Sequence, residues 1–359
     1  MEYSFKERCK DVFNDKRFLI GVSILVFFTV IMLTLKAFYF GNKIDHYEEY
    51  FMEITKKEDE EAKLYQDKEF DLTKLKKVAA DELVSCIQTP IDLENPPENI
   101  KNVIDKINRY YNQNNNYFAF AYKDIYTGFT VSYNANQKIF TASTIKAPTD
   151  IYIYEMASEG KVNLDEKLTY SGKYYNTGSG LLKNKAFNTS YTVKTLLEYS
   201  TVHSDNAAHN MLEDHFGRSN MREFWKAKGA DKIFTAKNNW GILDASDALI
   251  YMSELFRFYN ENEEYGEALM QNFLNAYPSF LKGKNGYEVA NKSGWSGSVV
   301  HDVAIIFADN PYIVVALSNL GAGGGTSYFN TANDLAYELH TEYWKYKMEK
   351  CQDIKLYSN

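Results

Sequence analysis

Apolar and polar positions change rhythm several times along the chain, and the changes mark out its parts. From Phe18 to Leu35 no charge interrupts the run, which continues through Lys36 to Phe40. As a helix, residues 18–40 would span roughly 35 Å, enough for a bilayer core of about 30 Å. Lys36 can snorkel near one end, and Phe38, Tyr39 and Phe40 suit the interfacial belt. The run is too long for a signal peptide and no small-residue cleavage site follows it, so an uncleaved single-pass anchor in the cell membrane is expected. Lys6, Arg8, Lys10, Lys16 and Arg17 precede the span, and only Lys43 follows closely. This bias makes residues 1–17 a cytoplasmic tail and puts everything after Phe40 outside.

Residues 41–96 read as an extracytoplasmic stalk. Charges crowd 56–63, a solvated face. Leu72, Leu75, Ala79, Leu83, Cys86 and Ile87 then fall on one helical stripe. Thr89 and Pro90 end that helix, and Asn95, Pro96 and Pro97 mark a boundary. Residues 97–350 read as one domain, followed by a tail at 351–359. Within the domain the pattern predicts a helix over 99–111, a turn at 112–116, and strands at 117–122 and 129–133. A helical region broken by polar loops covers 143–255. Strands follow at 287–293, 299–307 and 312–318, and a helix at 327–346. Strands at both ends with helices between them predict an α+β fold. Its antiparallel sheet is built from both ends of the domain with flanking helices, and a helical lobe completes a cleft.

Composition narrows the class. The 359 residues are 45% hydrophobic and 25% charged, which excludes a disordered, collagen-like or disulfide-scaffold protein. A net charge of −8 argues against nucleic acid as a partner. The 29 Tyr are spread through the chain and mark no site. Of three cysteines, Cys9 falls on the cytoplasmic side, leaving Cys86 and Cys351 on the oxidising side, where they could bridge. Cys86 also fits its stripe as a buried apolar residue, and the stripe favours that reading over the bridge.

Ser143 and Lys146 stand three apart, so a hydroxyl and an amine share one helical face. Serine is a weak nucleophile until a base takes its proton. At a helix start the macrodipole disfavours the charged form of Lys146, and burial works the same way. Pro148, lacking an N–H, fits only near such a start. The same spacing recurs at Ser158 and Lys161 and at Ser279 and Lys282, so alone it means little. Ser204, Asp205 and Asn206 form a second motif, and Lys292, Ser293 and Gly294 a third, in that order along the chain.

With these three motifs the stretch from about 97 to 346 resembles the penicillin-recognising serine hydrolases, nearest to class A β-lactamases and their peptidase relatives. The runs GSGLL (178–182), YTV (191–193), SDNAAHNML (204–212) and HDVAIIF (301–307) are also similar to that family. The resemblance implies Ser143 as nucleophile, Lys146 as base and Ser204 as proton relay to a leaving nitrogen. It implies that the Asn206 amide holds a substrate amide, that Lys292 and Ser293 take a substrate carboxylate, and that Gly294 lets the substrate backbone approach the strand. By the same analogy the backbone N–H groups of Ser143 and Trp295 form the oxyanion hole. The Trp295 indole either lines the cleft or simply packs.

One departure stands out. Class A β-lactamases carry E-x-x-L-N after the second motif, its glutamate activating the deacylating water, and that run does not occur here. Glu223 and Asp231 are nearby acids that read as solvated surface. The expected enzyme is therefore a membrane-anchored, penicillin-binding DD-peptidase acting on a peptidoglycan stem peptide or a β-lactam. A β-lactamase with an unrecognised base and a non-turnover sensor are the alternatives. No cofactor is implied. GAGGG (321–325) lacks the spacing of a phosphate loop, and His203, His209 and His215, six apart, read as surface or capping residues with no metal implied.

Overall fold

The computed structural model describes Phe70, Leu72 and residues 85–357 except 114–117, 236–239 and 322–326. The expected membrane span at 18–40, the tail before it and most of 41–84 lie outside the described residues. Among the described residues no helix is long and apolar enough to cross a membrane.

The first strands are β1 (Phe118–Asp124) and β2 (Thr130–Tyr133), then β3 (Ile139–Phe140), β4 (Lys167–Thr169), β5 (Ser190–Thr192) and β6 (Ile242–Leu243). Late in the chain come β7 (Val289–Ser296), β8 (Val299–Ile306) and β9 (Tyr312–Ser318). Five of them make one sheet in the order β2-β1-β9-β8-β7, every neighbouring pair antiparallel. The pairing of β1 with β9 joins the two ends of the domain, in the α+β arrangement that strands at both ends with helices between them predict. The minor pairs β3–β6 and β4–β5 were not legible, because runs of two or three residues carry no period.

Both faces of the sheet are covered. Phe118, Phe120 and Tyr122 point to one side, where they meet Ile100, Val103, Ile107 and Tyr111 of helix Glu98–Gln113. Each such buried aromatic contributes roughly 1.5–3 kcal/mol. Helix Ser327–Tyr357 closes that side and runs beyond the expected 346. It is keyed to β1 and the turn after it by Trp344 Nε1 donating to Asp124 Oδ2 (2.7 Å) and Tyr343 Oη donating to Thr127 Oγ1 (2.6 Å). The small residues Ala119 and Ala121 point the other way, into the helical lobe. At the centre of the lobe lies helix Lys146–Ser158, buried on all sides except at Met156 and Ser158.

Chain from the stalk region lies on this body. Gln271 Nε2 donates to Phe70 O (2.7 Å) and Tyr259 Oη to Leu72 O (3.3 Å), and Leu72 is buried. Helix Ser85–Gln88 meets the C-terminal helix, where Cys86 and Cys351 form a disulfide with Cα atoms 5.7 Å apart. This overturns the favoured reading of Cys86 as an apolar core residue. The side chain is only half-buried, and its partner is 265 residues away, beyond the reach of a local stripe.

Candidate active site

Ser143 sits in the 3₁₀ turn Ala142–Ile145, which leads directly into helix Lys146–Ser158. Ala142 has φ 44°, a left-handed conformation that a non-glycine residue adopts at a cost of about 1–3 kcal/mol. Lys146 is fully buried, and its Nζ lies 3.0 Å from Ser143 Oγ, 3.1 Å from Ser204 Oγ, 2.5 Å from Ser204 O and 2.7 Å from Asn206 Oδ1. The last two are obligatory acceptors. They use both N–H groups of a neutral amine and leave its lone pair to the hydroxyls, so Ser143 can donate to Nζ. Burial, reinforced by the charge of Lys292, pushes the Lys146 amine well below the ordinary lysine range, while Asp205 and Asp150 pull it back. Pro148 occupies the third helical position, where a missing N–H costs nothing.

Ser204 lies between helices Val193–Thr201 and Asn206–Phe216, also left-handed (φ 51°). The second motif depends on Asp205, which caps the latter helix by accepting from Ala207 N (2.8 Å) and Ala208 N (2.9 Å). Its other oxygen accepts from Leu182 N (2.7 Å), tying in the loop that carries Gly178 and Gly180. A Cβ on Gly180, at φ 123°, would stand 2.3 Å from Asp205 Cγ, and one on Gly178 would stand 2.4 Å from Asn206 Nδ2. Those two glycines let the loop close onto the motif. Asn206 Nδ2 donates to Asn176 Oδ1 (3.2 Å), so both ends of this amide are held before any substrate arrives.

The third motif lies on β7, at the edge of the sheet, with β8 on one side and the turn Ala142–Ile145 on the other. Lys292 Nζ is 3.2 Å from Ser204 Oγ and 3.2 Å from Ser293 O. A Cβ on Gly294 would meet Ser143 N and Thr144 N at 2.7 Å, so the glycine admits the backbone of the turn itself. The Ser293 hydroxyl donates to Pro278 O (2.6 Å), which also accepts from Asn291 Nδ2 (3.2 Å). Asp302 holds the 278–281 loop by accepting from Phe280 N (2.7 Å) and Leu281 N (2.8 Å). Ser318 N donates to His301 Nδ1 (3.1 Å), so Nε2 carries the proton and donates to Phe140 O (2.7 Å). Burial pushes His301 down to about 4, and it stays neutral in this bracing role. Trp295 follows Gly294 on the strand, and its indole packs edge-on against Phe280.

The three motifs therefore converge through Lys146, Ser204 and Lys292. Three further groups were not evident from the sequence. Trp240 places its indole 5.4 Å from Lys146 Nζ, and the neighbouring Gly241 is clamped to Thr141 by N–H to Oγ1 (2.9 Å) and O to N–H (3.1 Å) contacts. Asp150 is fully buried and accepts from Ser200 Oγ (3.1 Å) and Thr201 Oγ1 (2.5 Å), and burial raises it to about 7. Asn176 is the third. Glu223 and Asp231 are exposed. His209 is buried against Trp240, not a surface residue; the rings lie 5.6 Å apart. His203 stacks edge-on on Tyr199, and His215 lies 3.2 Å from Glu166. Among the described residues no group of three His, Cys, Asp or Glu side chains could hold a metal. Most of GAGGG lies outside the described residues.

A model of the beta-lactamase enzyme family matches residues 101–340. No curated protein matches the chain. Among solved structures, a beta-lactamase from Sphaerobacter thermophilus DSM 20745 is 17% identical with a TM-score of 0.58, covering 68% of this chain and 96% of its own. PBP-A is 20% identical with a TM-score of 0.61, covering 67% of this chain and 96% of its own. A PBP-A mutant in an acyl-enzyme complex with penicillin G has the same identity, 20%, and TM-score, 0.61, over 69% of this chain and 100% of its own. At these identities the neighbours speak to the fold, a β-lactamase/transpeptidase-like α+β arrangement.

Proposed function

The chain belongs to the beta-lactamase enzyme family, and from that premise we propose that it is a serine acyl-transfer enzyme of the penicillin-binding, DD-peptidase type, anchored at the outer face of a cell membrane by residues 18–40. Its substrate is a cell-wall peptide ending in D-alanyl-D-alanine, and a β-lactam acylates the same serine. One observation carries the reading: a buried, depressed lysine amine whose lone pair is left to the hydroxyl of Ser143, 3.0 Å away. As Ser143 Oγ attacks the carbonyl carbon, its proton passes to Lys146 Nζ. The resulting ammonium has a third N–H for Ser204 Oγ, 3.1 Å away, through which a proton reaches the leaving nitrogen as the C–N bond breaks. The backbone N–H groups of Ser143 and Trp295 take the developing oxyanion, and Lys292 takes the substrate carboxylate. Water then cleaves the acyl ester.

The preference for a peptidase over a β-lactamase is supported by the surroundings of Lys146. Among the described residues no carboxylate is hydrogen-bonded to Lys146 Nζ, whose partners are Ser143, Ser204 and Asn206, with an indole beside it. A neighbour of the same fold is held as an acyl-enzyme with penicillin G, which supports that drug as the probe. The test mixes the detergent-solubilised full chain with penicillin G and follows its intact mass. A long-lived adduct, absent in Ser143→Ala, with D-alanine released from a model peptide, is expected. Rapid drug hydrolysis without an adduct would favour a β-lactamase, and an adduct without peptide turnover would favour a sensor.

A further inference from the structure

Helix Lys146–Ser158 carries a buried carboxylate that the reaction described above leaves unused. Asp150 lies one turn after Lys146 on the same helix face and is fully buried. One of its oxygens accepts from Ser200 Oγ (3.1 Å) and the other from Thr201 Oγ1 (2.5 Å). Both hydroxyl residues are themselves fully buried at the end of helix Val193–Thr201, just ahead of Ser204. Asp150 therefore ties the helix that holds the base to the segment that holds the proton relay.

A clamp alone does not need a charge. A neutral amide would bond the same two hydroxyls, and a buried carboxylate matched only by neutral donors is costly. The demand for negative charge comes from the cations of the site. Lys146 Nζ and Lys292 Nζ stand 3.1 and 3.2 Å from one oxygen, Ser204 Oγ. Once Lys146 takes the Ser143 proton, two buried ammonium groups flank that hydroxyl, and each disfavours the other. Asp205 also acts on Lys146, but its oxygens already accept from Ala207 N, Ala208 N and Leu182 N. The other carboxylate that pulls on Lys146 is Asp150, which Lys292 reaches as well.

The remaining groups packed on this helix are settled by other means. Burial and the charge of Asp150 hold the Tyr154 phenol above its ordinary range, beside Asn272 of helix Glu263–Leu274. Helix Ala245–Glu261 brings the buried phenol of Tyr251, and helix Arg218–Ala227 brings Trp225, whose Nε1 donates to Pro148 O (2.9 Å). Glu155, toward the far end, is matched by Arg257 and Lys228.

We propose that Asp150 is a positioning residue for acylation. Its carboxylate is the counter-charge to the Lys146 ammonium that forms as Ser143 attacks, and its bonds to Ser200 and Thr201 hold the relay serine against that lysine. Asp150 itself neither gives nor takes a proton: the Ser143 proton goes to Lys146 Nζ as Oγ bonds the carbonyl carbon. Burial raises Asp150 to about 7 against the pull of the two hydroxyls and the two lysines, so it is charged above neutral pH. The role in acylation rests on the acyl-transfer reading of the site; the coupling of the two charges does not.

Two readouts on the detergent-solubilised full chain separate these claims. The first follows the magnetic resonance signal of Lys146 Cε against pH in lysine-labelled protein, assigned by its loss in Lys146→Arg. Asp150→Asn keeps the shape of the side chain and should lower the midpoint by about one to two pH units. That is the scale of two unit charges one helical turn apart at an effective dielectric of about 20. Thr201→Val removes one donor from the carboxylate and should shift the midpoint the same way by less. The second readout is acylation by a fluorescent penicillin against pH. Its rising limb should move with the midpoint, and its plateau should fall because a weaker base takes the Ser143 proton less readily. A midpoint unmoved in both variants, even with slower acylation at every pH, would reduce Asp150 to a structural clamp and overturn the proposal. A shifted midpoint in a chain whose parent penicillin does not acylate would overturn the role in acylation together with the acyl-transfer reading, and leave the charge coupling standing.

Discussion

Gly294→Ala would test how the close packing of β7 on the nucleophile turn shapes anion stabilisation. A Cβ at this position would stand 2.7 Å from Ser143 N and from Thr144 N, and 3.2 Å from Ser143 C. Ordinary contact begins at 3.4 Å, so strand and turn must separate by about 0.7 Å (3.4 − 2.7). Neither side can yield by rotating a side chain. Gly294 is registered against His301 in the β7–β8 ladder, and the turn feeds a helix that is buried almost all round. Overpacking of this kind costs about 1–3 kcal/mol of stability. A displaced oxyanion donor costs far more in rate, about 100-fold or more. The variant should therefore melt only a few degrees lower but acylate about 100-fold more slowly with a fluorescent penicillin in stopped flow. Gly297, in the same hairpin, faces open space: a Cβ added there would have nothing within 4 Å, so Gly297→Ala should acylate like the parent. Equal acylation by Gly294→Ala and the parent would refute the reasoning.

Acylation should also depend on pH through Lys146. Its neutral form is the base, so the rate should rise as pH climbs through the depressed amine value and level off below the ordinary lysine range. Burial is the larger cause of that depression and the charge of Lys292 the second, so Lys292→Gln should move the rising limb to higher pH; an unmoved limb would discount the coupling. Cys86→Ser should lower stability by up to about 5 kcal/mol in the chain-entropy account, seen as a lower melting temperature, with acylation of the folded protein unchanged. Equal melting with and without reductant would argue against the bridge.

Legibility followed the range of the interactions. The strands of the main sheet showed as apolar, β-prone runs, as in Phe118–Asp124 and Tyr312–Ser318, which are buried almost throughout. Ser143 and Lys146 were legible because helical spacing makes them neighbours and two further motifs follow them in order. Trp240 was not: its place beside Lys146 is set by the contacts of Gly241 with Thr141, a hundred residues earlier. The hydrogen bond from the Ser293 hydroxyl to Pro278 O was not legible for a related reason, since the sequence does not show which backbone lies beside a strand. The sequence assigns Asp205 no role; the structure shows it capping helix Asn206–Phe216 and holding the loop through Leu182 N.

The clamp between the two ends of the domain has a mechanical consequence. Lys347 Nζ donates to Thr89 O beside the Cys86–Cys351 bridge, so the chain is fastened to the C-terminal helix before it enters helix Glu98–Gln113. Tension arriving along the polypeptide past the Phe70 and Leu72 contacts would be shunted through sulfur into that helix. It would not peel Glu98–Gln113 from the sheet, and the register of β7 against Ser143 would be insulated from the pull.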